Sequence, residues 1–359
     1  MLAYEAQDRD LAKAAPAQRT GFCMTLDRSL RANMVLPAVC APMMLVSGPD
    51  LVRESCKAGI MAALPRHNAR DPEEFDNWLS SIRAALDEFS ERNLAERIGP
   101  LAVNITGGGA PDDLRADLAI CERYGVEVIL SAMGNPTELT KIVHDWGGKV
   151  FHDVTNLRFA AKAIEGGVDG LTCIGAGGGG HSGSLSPLAF IPKVRQMWDG
   201  TIIFAGNVST GAAIRAAEIL GADLAYLGTR FIATQESMAT EPYKAMLVSE
   251  RSVDLTYTDR VSGVPASWLD ASLRQVGLDP KDLPQSPGFR KYDHLPDDVR
   301  PWRDIWSAGQ GVELIDDIPP VAQLVRRLRQ EYVAACATSD MADVARMVDH
   351  AQHLRHAAL

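Results

Sequence analysis

Positive charge is scarce in this chain. Against 46 aspartates and glutamates stand 36 lysines and arginines, for a formal net charge of −10. That balance excludes a broad basic face for nucleic acid or for anionic membrane surfaces, though not a local anion site built from backbone amides. Cysteine is sparse too: Cys23, Cys40, Cys56, Cys121, Cys173 and Cys336 are scattered without a CxxC pair or a metal-ligand spacing. This is the usage of unpaired, buried thiols in a reducing compartment. No run approaches the roughly 18 apolar residues of a membrane span. The opening MLAYEAQDRDLAKAAPAQRT lacks the apolar core of a signal peptide. A cytoplasmic protein with no membrane or nucleic-acid partner is expected. HxH, HExxH and paired-carboxylate patterns are also missing, so the sequence gives no support to metal catalysis.

What the chain does have is apolar material, 46% of its 359 residues, enough for a large core. Eight short continuous apolar runs stand out: PAVCAPM (37–43), IMAAL (60–64), LAVNI (101–105), VEVILSAM (126–133), KVFHDV (149–154), GLTCIG (170–175), TIIFAG (201–206) and DLAYLG (223–228). Continuous runs, as opposed to alternating ones, mark strands buried on both faces. Helix punctuation lies between them. Asp71-Pro72-Glu73-Glu74 reads as an N-cap, a first-turn proline and a third-position acid, followed by the one-face stripe Phe75, Trp78, Leu79, Ile82 and Leu86. Asn135-Pro136-Thr137-Glu138 repeats the device, with Leu139, Ile142, Val143 and Trp146 as its stripe. Gly59, Gly125, Gly166 and Gly221 stand where a helix stops in a left-handed residue. Eight strand–helix units imply a parallel sheet with right-handed crossovers, and the count suggests closure into a (β/α)8 TIM barrel. An open doubly wound sheet is the alternative.

The pattern breaks after the eighth run. Residues 235–303 are polar and proline-containing, with helical pieces around 243–248 and 266–276, too long for a plain loop. We read them as a small helical cap over the barrel mouth. The barrel itself then takes residues 21–234 and 304–335, with Val321, Leu324, Val325, Leu328 and Tyr332 on one face of its last helix, and 336–359 form a helical tail.

In such barrels the active site lies at the C-terminal ends of the strands. Glycine is dense there: GAGGGGHSG (175–183) follows the sixth run, AGNVSTG (205–211) the seventh and LGTRF (227–231) the eighth. Turns after the last two strands let backbone N–H groups converge on a phosphate, and Gly206, Asn207, Gly228 and Thr229 are the natural donors. Asparagine tolerates the left-handed angles such a turn demands. The loop ending in Gly179 and Gly180 offers a flexible surface free of side chains to a flat ligand, and His181 follows it as a candidate for proton transfer. His67, His144 and His294 have no such setting and read as surface residues. The remaining strand ends are apolar or hydrogen-bonding: Ala41, Pro42 and Met43, then Asn104, Ser131, and His152 with Asp153. Apolar walls with a few polar groups suit a planar aromatic cofactor.

These segments resemble the nitronate monooxygenase (2-nitropropane dioxygenase) family. The resemblance is carried by APMMLVSGPDLVRESCKAG, AGGGGHSG, FAGNVSTGAAIRAAEILGADLAYLGTRFIATQES and IWSAGQGVELIDDIPPVAQLV, in that order along most of the chain. It implies an FMN-dependent oxidoreductase that oxidises alkyl nitronates or nitroalkanes, with dioxygen or NAD(P)H as redox partner and a homodimer left open. It places the phosphate grip on Gly180, Gly206, Asn207, Gly228 and Thr229, the first-strand flavin contact on Ala41, Pro42 and Met43, and the catalytic histidine on His181. Three positions depart from the family pattern. Asp153 stands where many relatives carry lysine, Asn207 replaces a glycine, and LPRHNAR (64–70) replaces a glycine-rich strand end. Two alternatives stay open: an NAD(P)H-dependent reductase or dehydrogenase of an enoyl thioester or quinone, and a flavin-free isomerase or lyase acting on a phosphorylated substrate.

Overall fold

The computed structural model describes residues 25–107 and 111–337. Eight parallel strands close into a barrel: β1 (Ala38–Cys40), β2 (Met61–Pro65), β3 (Leu101–Thr106), β4 (Val128–Ala132), β5 (Lys149–Val154), β6 (Gly170–Ile174), β8 (Thr201–Ala205) and β9 (Leu224–Leu227). The pairing of β1 with β9, Val39 opposite Tyr226 and Cys40 opposite Leu227, completes the ring and eliminates the open sheet. Each strand coincides with one of the eight apolar runs, with β2 and β3 extending one residue beyond theirs.

Strand alternation divides the core in two. One set of side chains, including Val39, Met61, Ala102, Leu130, Phe151, Ile203 and Leu224, fills the barrel interior. The other set, including Cys40, Leu64, Val103, Ile129, Val150 and Leu171, packs outward against the helices. Those helices are α2 (Pro49–Lys57), α3 (Pro72–Arg92), α4 (Pro111–Arg123), α5 (Thr137–Asp145), α6 (Leu157–Glu165), α7 (Pro187–Met197), α8 (Gly211–Ile219) and α12 (Val321–Ala337), with α1 (Arg28–Ala32) before β1. Their starts are capped locally. Asp71 accepts from the Glu74 amide at 2.8 Å, and Asn156 accepts from that of Phe159 at 2.9 Å. Gly211 lets α12 close on α8, since a Cβ there would lie 2.1 Å from the Leu328 carbonyl oxygen. At the end of α6 the left-handed residue is Gly167 (φ 81°), one place after the expected Gly166, which keeps right-handed helical angles.

Between β9 and α12 lie α9 (Thr229–Ile232), α10 (Glu241–Ser249), β10 (Leu255–Thr258), β11 (Ala266–Leu269) and α11 (Asp270–Gln275). Helices are present as expected, but 266–269, read as helical from sequence, is a strand. It pairs antiparallel with β10 on one side and with the two-residue β7 (Gly180–His181) on the other. All four of its side chains are buried, so tertiary pairing overrides a stretch that continues directly into a helix. Cys40, Cys56, Cys121 and Cys173 are buried and unpaired, whereas Cys336, in the last turn of α12, is exposed, against expectation. Cys23 and the tail from 338 onward lie outside the described residues. Among the described residues no helix is long and apolar enough to cross a membrane.

Candidate functional site

A cavity of about 1360 Å³ opens at the C-terminal ends of the strands, beneath the insertion. Its wall includes Ala41, Pro42 and Met43 after β1, Asn104 of β3, Asp153 of β5, Gly179, Gly180 and His181 after β6, Gly206 and Asn207 after β8, and Gly228 and Thr229 after β9. Of the residues singled out from sequence only Ser131 stays out of it. Ser131 shares the outer face of β4 with Ile129, is fully buried, and binds the ring Nδ1 of His152 at 2.7 Å. His152 itself reaches the cavity where this spreads between α5 and α6, along Pro136, Phe159 and Ala163. Burial holds its imidazole neutral, with the pKa pushed down to about 4.

The turns after β8 and β9 meet the requirement for a phosphate cradle. Gly206 (φ 132°) and Asn207 (φ 59°) both take left-handed angles, which turns the chain sharply at the strand end. Among the described residues the amides of Gly206, Asn207, Gly228 and Thr229 find no acceptor, although all four residues line the cavity. Gly206 is buried, Gly228 and Thr229 are half-buried and Asn207 is exposed, so the four amides offer accessible donors on one wall to a ligand rich in acceptors. The Thr229 hydroxyl accepts from the Gly309 amide at 2.9 Å and keeps its own proton to donate.

The glycine loop behaves differently from the flexible surface expected of it. Its backbone is packed against that of 309–311. The Gln310 amide donates to the Gly177 carbonyl at 2.9 Å, and a Cβ on Gly179 would lie 2.8 Å from the Gly309 nitrogen. Much of its glycine content therefore serves close contact between two chain segments, and the loop is fixed in place. The Gly180 amide donates to Ser307 Oγ at 2.6 Å, and Ser307 donates onward to the Ser267 carbonyl of β11.

His181 is held by the insertion. As part of β7 it pairs with Ala266, its ring meets Trp302 edge-on at 5.1 Å, and Phe289 lies 6.2 Å away. Its Nε2 is 3.3 Å from Ser262 Oγ. Ser262 spends its one hydroxyl proton on the Val264 carbonyl at 3.0 Å. Nε2 must then be the N–H that donates to Ser262, which leaves Nδ1 as the basic atom. Burial, followed by the nearby Arg290 cation, lowers the histidine's pKa below its ordinary value, so it is a neutral base at neutral pH.

Sequence reasoning did not find Tyr226, Phe289, Arg290, Tyr292 or Trp302, all of which line the cavity, and it placed His67, another wall residue, on the plain surface. Tyr226 was legible in principle, since it lies two residues before Gly228 on the same face of β9. Phe289, Arg290, Tyr292 and Trp302 come from the insertion, where no periodic signal marks them.

A family model described as nitronate monooxygenase matches residues 76–331. A nitronate monooxygenase of Paraburkholderia phytofirmans is 34% identical over 149 residues, covering 38% of this chain and 39% of that protein. The (3aS,4S,5R,7aS)-5-hydroxy-7a-methyl-1-oxo-octahydro-1H-indene-4-carboxyl-CoA dehydrogenase of Rhodococcus jostii is 27% identical over 237 residues, covering 66% of this chain and 63% of that protein. The chain thus spans less than two thirds of the length of either relative. Among solved structures, the nitroalkane oxidase of Streptomyces ansochromogenes superposes with a TM-score of 0.70 over 86% of this chain and 99% of that one, at 24% identity, a likeness of fold.

Proposed function

The chain belongs to the nitronate monooxygenase family and is an oxidoreductase, and on that premise we propose that it holds FMN in the cavity and oxidises a small carbon acid, a nitroalkane or its nitronate. One observation carries the reading: four unpartnered amides after β8 and β9 share a single cavity with a buried, neutral histidine. The amides of Gly206, Asn207, Gly228 and Thr229 would hold the phosphate, Ala41, Pro42 and Met43 would flank the ring system, and Asn104, Gly179, Gly180 and Asp153 would complete its wall. The bound flavin supplies a two-electron acceptor. His181 removes the carbon-bound proton of a neutral substrate through Nδ1 while Ser262 holds Nε2–H. The apolar roof of Phe289 and Trp302 keeps water from the proton being moved.

FMN is expected, and not FAD, because no GxGxxG strand–turn–helix unit stands near the N-terminus to hold a second nucleotide. Mass spectrometry of the cofactor released from yellow protein checks this, and FAD in the released fraction sinks it. A protein that stays colourless after reconstitution would instead favour an isomerase or lyase of a phosphorylated substrate.

Removing the Ser262 hydroxyl tests the tautomer assignment. Ser262→Ala frees the imidazole to carry its proton on either nitrogen, at a cost of about one hydrogen bond, ~1 kcal/mol. Turnover of a neutral nitroalkane is expected to fall about three- to tenfold. Flavin content and turnover of preformed nitronate should be unchanged, and a fall in either assigns Ser262 to the architecture of the cap.

A second reading is favoured by the size of the cavity. About 1360 Å³ exceeds the roughly 300–1,000 Å³ of pockets for one drug-sized ligand, leaving room beside a flavin for more than a small nitronate. The Rhodococcus jostii relative is named for a carboxyl-CoA substrate. Dehydrogenation or reduction of a CoA thioester, with NAD(P)H as partner in the reductive direction, is therefore the alternative. Anaerobic mixing of the yellow protein with NADH, NADPH, an acyl-CoA and a nitronate separates the two by which of them bleaches the flavin.

A further inference from the structure

The barrel's inner wall below the cavity carries a polar atom that the protein leaves unsatisfied. Along β5, Val150 belongs to the outer packing layer and Phe151 to the interior. Asp153, two residues after Phe151, therefore faces the barrel axis. It lines the cavity, and its Oδ1 is shielded from solvent with no hydrogen-bond partner. Thr172, its register partner on β6, is completely buried with its hydroxyl also unpaired.

The other groups around it supply no positive charge. Tyr226 of β9 faces the same interior, and burial, helped by Asp153 itself, raises its phenol well above the usual range. Cys173 of β6 is a buried thiol whose pKa burial raises further. On β4 the adjacent residue is Ala132, and on β5 itself His152 points to the opposite face and is neutral. A carboxylate in this position would have no donor beside it but the Thr172 hydroxyl, in an apolar wall, with no cation to balance it. The neutral acid avoids that cost and carries a proton to give. Burial pushes the Asp153 carboxyl up to about 7, and the Thr172 hydroxyl beside it offsets only part of this.

We infer that Asp153 recognises the bound flavin as a neutral acid, donating its carboxyl proton to a carbonyl or ring-nitrogen acceptor on the edge of the ring system, so that above neutral pH cofactor binding takes up one proton. The inference rests on the flavin reading given above. Its balance is simple: carboxylate protein, one proton and FMN combine to give the protonated complex. The only covalent bond formed is the carboxyl O–H, and no electrons move.

Linkage fixes the sign. Where the free carboxyl is ionised and the bound one is not, each unit of rising pH weakens FMN binding by up to about tenfold. The test titrates FMN into full-length apoprotein, following flavin fluorescence, from pH 7 to pH 9, a range that lies above the second pKa of a phosphate monoester, about 6, so that its charge changes little. Wild-type Kd is expected to weaken by at least about tenfold over that range. Asp153→Asn, whose amide donates at every pH, should bind with a flat profile. Asp153→Ala should also be flat, and at pH 7 weaker than either. A flat wild-type profile, or one that Asp153→Asn reproduces, overturns the inference, as does an Asp153→Ala protein that keeps the wild-type slope. Failure of wild type and both variants to bind FMN at pH 7 would overturn the flavin reading and this inference with it. Flavin binding by all three with identical slopes would overturn this inference alone.

Discussion

Replacing His181 with asparagine is expected to cost about 10²–10⁴-fold in turnover of a neutral nitroalkane. The same change should leave turnover of the preformed nitronate much less impaired. The difference follows from the proton: a nitroalkane must lose one from carbon before it can give up electrons, and a nitronate has already lost it. The structure gives the histidine the properties this step needs. Its Nε2–H is tied to Ser262, its Nδ1 is free, and burial together with Arg290 holds the ring neutral to lower pH than usual. The sign of the pH dependence follows. The neutral imidazole is the active form, its pKa lies below the ordinary 6.5, and nitroalkane turnover should fall as pH drops through that lowered value. In the asparagine variant that acid limb should vanish, and on nitronate it should be absent from the wild type as well. Equal losses on both substrates would make His181 a positioning residue, held by Trp302 and β11 to shape the cavity. A yellow wild-type enzyme that turns over neither substrate, but is bleached by NAD(P)H or an acyl-CoA, would transfer the argument to the thioester reading.

The barrel was legible because its strands are buried on both faces, and such strands appear in sequence as unbroken apolar runs that need no partner to be recognised. The cavity was legible to the extent that its parts are backbone. Gly206, Asn207 and Gly228 announce turns through their residue type, and turn chemistry is local. Side-chain roles were less readable because they depend on strand parity, and a one-residue error inverts a face. At the end of β4, Ser131 was assigned to the cavity but shares the outer face with Ile129. At the end of β5, His152 was named with the other strand ends, yet it reaches the cavity from the outer face, by a route between two helices that no single strand reveals. The insertion was the least legible part. Ala266–Leu269 is a strand only because β10 and Gly180–His181 lie on either side of it. The aromatic residues around His181 come from positions 289 and 302, more than 100 places along the chain from the histidine they enclose.

Gly228→Asp is expected to abolish flavin binding while the barrel stays folded, and its companion Gly228→Ala should keep the flavin. The pair separates charge from shape because Gly228 needs neither a left-handed backbone nor an empty Cβ position. Its φ is −100°, and an added Cβ would meet only Met43 Sδ at 3.7 Å and Ala41 Cβ at 3.8 Å, ordinary contacts. The turn therefore accepts a methyl group. A carboxylate differs by its charge. Placed about 5 Å from a phosphate at an effective dielectric of about 20, it costs on the order of 3 kcal/mol for each phosphate charge, a weakening of roughly a hundredfold or more. Gly206 and Asn207 are poorer places for this comparison, since their left-handed angles strain any larger replacement at the glycine. The readings are the flavin-to-protein absorbance ratio of each purified variant and its thermal unfolding midpoint. An alanine variant that is yellow beside a colourless, equally stable aspartate variant locates the phosphate at the end of β9. A folded aspartate variant with full flavin would move the phosphate away from Gly228 and leave the free amides of that turn to some other ligand.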